Sequence, residues 1–331
     1  MIVTRTPFRI SFFGGGTDYP AWYRQHGGTV LATTIDKYCY ISCRRLPPFF
    51  EHKHRIVYSR IENVREIAEI QHPAVRAVFD WAQVRDGKEV HHDGDLPARS
   101  GLGSSSSFTV GLVHALSALR GRYISKKALA SSAIHIEQDL IRENVGSQDQ
   151  ISAAFGGFNT IEFHRNGAWD VSPVILPAER SNELQSHLML CFTGFSRIAS
   201  EVAKSKIDNL TNRRAELERM AAMVGEALQI LQDPNAPIAE FGRLLDESWR
   251  YKRTLSDKVT TPEIDEIYAE AMSGGALGGK ILGAGGGGFL LLFVRPQDQD
   301  KVRARLSKLI HVPFRFEDSG SRVVLYQPNG L

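Results

Sequence analysis

The chain has 331 residues, 42% of them hydrophobic and 23% charged, which is the balance of an ordinary globular protein long enough for two domains. A net charge of +3 is too mild for a nucleic-acid-binding surface, although it suits a small anionic substrate. No apolar run reaches membrane-spanning length and no signal-peptide pattern opens the chain; the three cysteines, Cys39, Cys43 and Cys191, lack metal-type spacing, so a cytoplasmic, reducing compartment is expected.

The opening MIVTRTPFRISFFGGGTDYP reads as a strand that carries Arg9 between Phe8 and Ile10 and ends in Gly14, Gly15 and Gly16 before Thr17 and Asp18. An arginine there fits the solvent face of an alternating strand as well as it fits a site. The glycines would let a ligand lie against the backbone, and a short carboxylate beside them can accept hydrogen bonds from sugar hydroxyls. TVLATTIDKYCYISCRRL and HRIVYS continue the sheet, with Cys39 and Cys43 as small buried residues, while VREIAEI and PAVRAVFDWAQV read as short helices. The basic RRLPPFFEHKHR is most simply a solvated loop, and His91, His92 and Asp93 are adjacent rather than spaced as metal ligands.

PARSGLGSSSS, Pro97 to Ser107, runs without a break into a segment with Val110, Leu112, Val113, Leu116 and Leu119 at helical spacing. Composition alone also allows a flexible linker. A linker rarely leads straight into an amphipathic helix, however, and a glycine-rich helix start presents unpaired N–H groups and the positive end of the dipole to a phosphate. No Gly-Lys-Ser/Thr closes the loop, so it is not a Walker A loop. SKKALASSAIHIEQDLIREN forms the next helix, and in VGSQDQISAAFGGF, Ser147 followed by Gln150 fits a capping box that places Asp149 in a first helical turn. Taken singly, Glu137 and Asp149 are ordinary helix carboxylates; a functional role needs both to meet Arg9. Asn166-Gly167 marks a hairpin, and the polar LPAERSNEL closes a first domain, residues 1–180.

The second domain, 181–331, opens with the strand HLMLCFTG and continues through long helices whose basic residues Lys204, Lys206, Arg213 and Arg214 read as solvent-exposed. In GGKILGAGGGGFLLLFV, Gly274 to Lys280 has P-loop spacing, but Ile281 stands where Ser or Thr is required. The segment is a hairpin between buried strands, and five glycines in the six residues from Gly283 to Gly288 imply close approach to a ligand or to another backbone. An amphipathic helix and the strand SRVVLYQ follow, suggesting a small antiparallel sheet covered on one face, an α+β domain.

Pro97 to Ser106 resembles the phosphate loop of the GHMP small-molecule kinases, GGKILGAGGGG resembles their third motif, and PFRISFFGGGTDYP their first; the three stand in the family's order across nearly the whole chain. The resemblance implies a two-domain α+β fold, with an N-terminal domain of ribosomal-protein-like β-α-β character and a ferredoxin-like C-terminal domain, and ATP and magnesium bound between them. It implies Asp149 and Arg9 as catalytic residues, and Glu137 and Ser104 as magnesium ligands. Pro97, Arg99, Ser100, Gly101, Leu102, Gly103, Ser104, Ser105 and Ser106 would bind the ATP phosphates. Gly14, Gly15, Gly16, Thr17, Asp18, Gly146, Arg197, Gly285 and Gly286 would face the acceptor, with Lys204 as a second candidate for its phosphate. Galactokinases have Gly-Glu-His-Thr-Asp where this chain has Gly14-Gly15-Gly16-Thr17-Asp18, which argues against galactose. PFRISFFGGGTDYP and FTGFSRIAS are most similar to the bacterial branch acting on D-glycero-D-manno-heptose 7-phosphate, with fucokinase domains as neighbours. That branch implies transfer from ATP to the anomeric hydroxyl of a sugar phosphate, to the 1,7-bisphosphate, for nucleotide-activated heptose synthesis. Another sugar 1-kinase, or a silent sugar-sensing homologue, is the alternative. No nucleic acid or membrane partner is implied, and a homodimer is compatible with the reading.

Overall fold

The computed structural model describes residues 1–98, 100–194 and 199–329. Among them the chain forms, in order, β1 (Ile2–Phe13), α1 (Pro20–His26), β2 (Gly28–Arg45), β3 (His54–Val57), β4 (Ile61–Val64), α2 (Pro73–Trp81), β5 (Lys88–Gly94), α3 (Ser104–Leu119), α4 (Lys126–His135), α5 (Gln148–Phe155), β6 (Phe158–Phe163) and β7 (Trp169–Pro173). There follow α6 (Ala178–Ser186), β8 (Leu188–Phe192), α7 (Ala199–Asn209), α8 (Arg214–Gln232), α9 (Ala239–Thr254), α10 (Pro262–Ser273), β9 (Ala276–Ile281), β10 (Phe289–Val294), α11 (Gln299–Arg305), β11 (Ile310–His311), β12 (Phe316–Glu317) and β13 (Arg322–Tyr326). None of the described helices is long and apolar enough to cross a membrane.

The strands make two sheets, so the architecture is two-domain α+β. The larger runs β13-β1-β2-β5-β3-β4, with β6, β7 and β12 attached along β2; the smaller is antiparallel in the order β11-β8-β10-β9. β2 is 18 residues long and serves two neighbours in turn, its first part pairing with β6 and its last with β5. β1 alternates buried and half-buried residues only at its start and is buried on both faces from Thr6 onward. Helix α3 packs across β1 and β2, with Val110, Leu112 and Val113 fully buried beneath it, as its apolar spacing requires.

The division at residue 180 does not hold for the end of the chain. β12 pairs with β2 and β13 pairs antiparallel with β1, Ile2 opposite Tyr326, so SRVVLYQ belongs to the first sheet and not to the small one. Val323 and Leu325 turn their half-buried side toward the sheet while Arg322, Val324 and Tyr326 face outward. The long basic helix is also divided, at a 3₁₀ turn over Leu210–Arg213, which lets α7 line the cleft while α8 packs on α9. VREIAEI reduces to the end of β4 and one 3₁₀ turn at Ile67–Glu69.

Candidate active site

Between the two sheets lies a cleft with a cavity volume of about 220 Å³. One wall is the glycine-serine loop. Gly101 and Gly103 take φ of +88° and +75°, the left-handed region that glycine enters without strain. Space matters as well. A Cβ on Gly101 would stand 2.6 Å from the Leu282 carbonyl oxygen, and one on Gly103 3.4 Å from Asp149 Oδ2. The first turn of α3 therefore opens on the cleft, which Ser104, Ser105 and Ser106 line. Ser106 Oγ donates to Glu137 Oε2 at 2.8 Å and Ser107 Oγ to the Pro7 carbonyl at 2.9 Å. Leu102 is a core residue whose carbonyl accepts from the Arg9 backbone N–H at 3.0 Å. Pro97 is exposed and away from the cleft, and Arg99 lies outside the described residues.

The second glycine cluster is explained by backbone contact. Ser100 accepts from the Phe289 N–H at 3.1 Å, and Gly286 donates to Val259 at 2.8 Å. Cβ atoms on Gly283, Gly285 and Gly288 would collide with the backbones of Gly101, Val259 and Ser100. Gly285 and Gly286, expected at the acceptor, thus face Val259, and Gly283 and Ala284 are the hairpin residues that reach the cleft.

Arg9 does not face solvent. A register shift between Pro7 and Phe8 turns β1 at this point, and the guanidinium lies buried in the cleft. Its Nε and Nη2 donate to Asp149 Oδ1 and Oδ2 at 2.7 and 2.9 Å, and Nη1 donates to the Gly101 carbonyl at 2.7 Å. This is the planar, two-pronged pairing that fixes both partners in orientation. Asp149 stands in the first turn of α5 as expected, but no capping box forms. Ser147 Oγ instead accepts from Gln138 Nε2 at 3.0 Å, and Gln150 Nε2 donates to Glu137.

Glu137 sits in a π-helical turn, Ile136–Leu140, that extends α4; the Ile141 N–H donates to the Ile136 carbonyl at 2.9 Å. Such an inserted residue turns a side chain off the regular helical phase, here toward Ser106. The carboxyl is wholly buried, and burial pushes its pKa up to about 7. Among the described residues its Oε1 has no hydrogen-bond partner. Ser106 and Gln150 both donate to its other oxygen, and the Thr109 hydroxyl also acts on the carboxyl; a buried carboxylate with acceptor capacity to spare beside serines is a donor set that fits a hard divalent cation such as magnesium.

At the other end of the cleft Asp18 Oδ1 accepts from the Gly16 N–H at 3.0 Å, and burial raises its pKa. Gly146 packs against it so closely that a Cβ would lie 1.8 Å from Oδ2. Gly15 and Gly16 line the cavity. Gly14 and Thr17 do not: the Thr17 hydroxyl donates to the carbonyls of Gly14 and Thr29 at 2.8 and 3.0 Å, and Gly14 lies against Thr29. Their polar and close-packing capacity is committed to holding the turn.

Three lysines complete the walls, none of which was identified in the sequence as a site residue. Lys206 is buried rather than solvent-exposed, whereas Lys204, two residues away on α7, is exposed and outside the cavity. Lys252 donates to the carbonyls of Ile281 and Gly283, at 2.6 and 2.7 Å, and Lys280 to that of Phe12 at 2.8 Å. Burial lowers all three pKa values, to about 8 for Lys206, to about 7 for Lys280 and well below the ordinary lysine range for Lys252. Arg197 lies outside the described residues. No group of three or more His, Cys, Asp or Glu among the described residues is arranged to hold a metal, His91, His92 and Asp93 included.

Residues 66–157 match the GHMP kinases N terminal domain and residues 234–311 match GHMP kinases C terminal. The chain is 30% identical over 317 residues to the D-glycero-alpha-D-manno-heptose 7-phosphate kinase of Campylobacter jejuni, covering 93% of each protein. It is 24% identical to the bifunctional fucokinase/GDP-fucose pyrophosphorylase of Arabidopsis thaliana, over 91% of this chain and 31% of that longer protein. Among solved structures, a D-glycero-D-manno-heptose 1-phosphate kinase from Bacteriodes thetaiotaomicron superposes with a TM-score of 0.79 at 22% identity, over 98% of both chains.

Proposed function

The chain belongs to the GHMP kinases and is an ATP-dependent sugar kinase, and from that premise we propose that its acceptor is D-glycero-D-manno-heptose 7-phosphate, phosphorylated at the anomeric hydroxyl to give the 1,7-bisphosphate, a precursor of nucleotide-activated heptose. The observation that carries the reading is the convergence, in one cleft, of the α3 start, the Arg9–Asp149 pair and Asp18, which lie far apart in the chain, with Glu137 buried directly behind Ser106 of that helix start.

Phosphoryl transfer asks for positioning and charge stabilisation more than for covalent chemistry. The first-turn N–H groups of α3 and the hydroxyls of Ser104 and Ser105 face the space where ATP phosphates would lie. Asp149 receives the acceptor proton while the acceptor oxygen bonds to the γ-phosphorus and the bond to the β-phosphate oxygen breaks. Both of its oxygens are held by Arg9, yet each keeps a second lone pair for that proton. Arg9 fixes the carboxylate in line and adds positive charge where charge develops. Ser104 at the cleft wall and Glu137, reached past Ser106, would hold magnesium, which when bound neutralises phosphate charge. Asp18 accepts from a sugar hydroxyl.

The test is incubation with ATP, magnesium and heptose 7-phosphate beside fucose, mannose and galactose, with the new phosphate located by NMR. A phosphorus signal coupled to the anomeric proton of the heptose is expected. Phosphorylation of another sugar with the heptose left intact would overturn the acceptor assignment.

A further inference from the structure

Lys206 differs from the other cations of the cleft. Arg9 is engaged with Asp149 and Gly101, Lys252 with two carbonyls and Lys280 with one. Lys206 is as deeply buried as they are, at 5% exposure, and lines the cavity, but among the described residues its ammonium has no hydrogen-bond acceptor. It stands over the ring of Tyr19, 5.6 Å from the centroid, beside the adjoining Asp18, and both Asp18 and Asp149 act on it electrostatically.

An ammonium has three donors and no acceptor. Asp18 and Asp149 offset only part of the cost of its burial, and its donors meet no acceptor among the described residues, so a ligand oxygen completes the arrangement. That oxygen is a neutral one. A dianionic phosphate has no proton to give the Asp18 carboxylate beside this lysine, whereas a hydroxyl can accept from the one group and donate to the other. Asp18, for its part, takes the Gly16 N–H on Oδ1 and is also held by the Gln148 side chain, and with two acceptor sites on each oxygen it can still accept from a ligand O–H. A donor and an acceptor side by side match two neighbouring hydroxyls, each able to give or take one hydrogen bond.

We propose that Lys206 and Asp18 form a clamp for a vicinal diol of the acceptor sugar, Lys206 donating to one hydroxyl oxygen and Asp18 accepting from the other, so that the phosphate the acceptor already carries lies outside this end of the cleft. The clamp rests on the sugar-kinase reading and places a specificity-determining cation on α7, in the second half of the chain.

The test uses the intact protein and the acceptor identified by the panel, with Lys206→Met, Lys206→Arg, Asp18→Asn and the double variant Asp18→Asn/Lys206→Met. Acceptor KM, ATP KM, kcat and thermal midpoint are measured, together with turnover of monodeoxy analogues of the acceptor. Lys206→Met should raise acceptor KM by ~10–100-fold, the range of a lost hydrogen bond to a charged group, with ATP KM unchanged. Lys206→Arg should recover part of the loss. The double variant should cost less than the two singles multiplied, because both side chains hold one diol. The wild type should discriminate against the analogue lacking the bound hydroxyl, and Lys206→Met should lose that discrimination. An acceptor KM within threefold of wild type, an equal rise in ATP KM, or retained discrimination would overturn the clamp while leaving the kinase assignment standing. If Lys206→Met fails to fold, Lys206→Arg and the analogue series decide. If the wild type phosphorylates no sugar in the panel, the acceptor reading falls and the clamp falls with it.

Discussion

Asp149→Asn separates the two duties of the Arg9–Asp149 pair. The pair is nearly dry, with side-chain exposures of 4% for Arg9 and 17% for Asp149, and is joined by two parallel hydrogen bonds. Asparagine keeps the shape but sets an NH₂ group against a guanidinium N–H, so one bond becomes a donor facing a donor, the other loses its charge assistance, and Arg9 keeps only the Gly101 carbonyl. Breaking a buried pair costs ~3–5 kcal/mol. Asp149 opens onto the cleft, where water screens the stranded cation, so about 2–3 kcal/mol is expected, a fall in thermal midpoint of roughly 3–4 °C for a chain of this size. Turnover should fall further than stability explains, by ~10²–10⁴-fold, the range of a positioned general base. ATP KM should stay within about threefold, since the helix-start N–H groups remain in place. Initial rates by coupled ADP release and a melting curve measure both effects, and Arg9→Met/Asp149→Asn should melt above Asp149→Asn because no lone charge is left. Turnover within tenfold of wild type, or an unchanged midpoint, would refute the account of the pair.

Gly146→Ala should push Asp18 out of place, since its Cβ would meet Oδ2 at 1.8 Å; acceptor KM should rise by at least tenfold with ATP KM unmoved, as steady-state kinetics would read. Gly101→Ala brings both left-handed strain and a 2.6 Å contact with the Leu282 carbonyl, and a loss of about 2 kcal/mol or more with weakened ATP binding is expected from denaturant melts and nucleotide titration. The ligand-free protein should gain stability from pH 7 to about 8.5. In that window the unfolded chain keeps its lysines protonated, while burial has lowered Lys280 to about 7 and Lys206 to about 8; this outweighs the proton that Glu137, raised to about 7, still sheds from the native state near the lower end, so the unfolded state binds more protons and stability rises with pH. Above about 8.5, the ordinary cysteine range, the rise slackens, because burial has raised the Cys43 and Cys191 thiols to about 12 and only the unfolded chain releases those protons. Lys280→Met should flatten the rise, which melting curves across the pH series would show.

The parts of the site legible in the sequence are those fixed by local rules. The glycines at 101 and 103, the serines and the apolar stripe of α3 sit within one loop and one helix, and each residue's reason for being there is carried by its neighbours. The number of glycines from 283 to 288 signalled a close approach, but chain order says nothing of what approaches, which is the Ser100–Gly101 backbone. The 147–150 capping pattern was present and went unused because Gln138 and Glu137 offered both side chains better partners. Two of the buried lysines did leave a trace. Lys204 and Lys206 are 200° apart on a helix of 100° per residue, so one basic face cannot hold both. Lys252 continues the buried line of Phe241, Leu245, Ser248 and Trp249 at helical spacing, a charge on an apolar stripe that asks for a reason. The return of β13 to β1 left none, since pairing across the length of the chain depends on nothing local.

That return has a mechanical consequence. The small sheet is inserted into the large one, leaving it after β7 and rejoining it at β12, so two separate crossings bind the halves, and the Lys280 ammonium on the Phe12 carbonyl and the Phe289 amide on the Ser100 carbonyl rivet them again between those crossings. Attachments at several points allow a slight rocking but resist wholesale parting. The cleft therefore works as a preset mould, whose fit is cast when the chain folds and which substrates must enter from its rim.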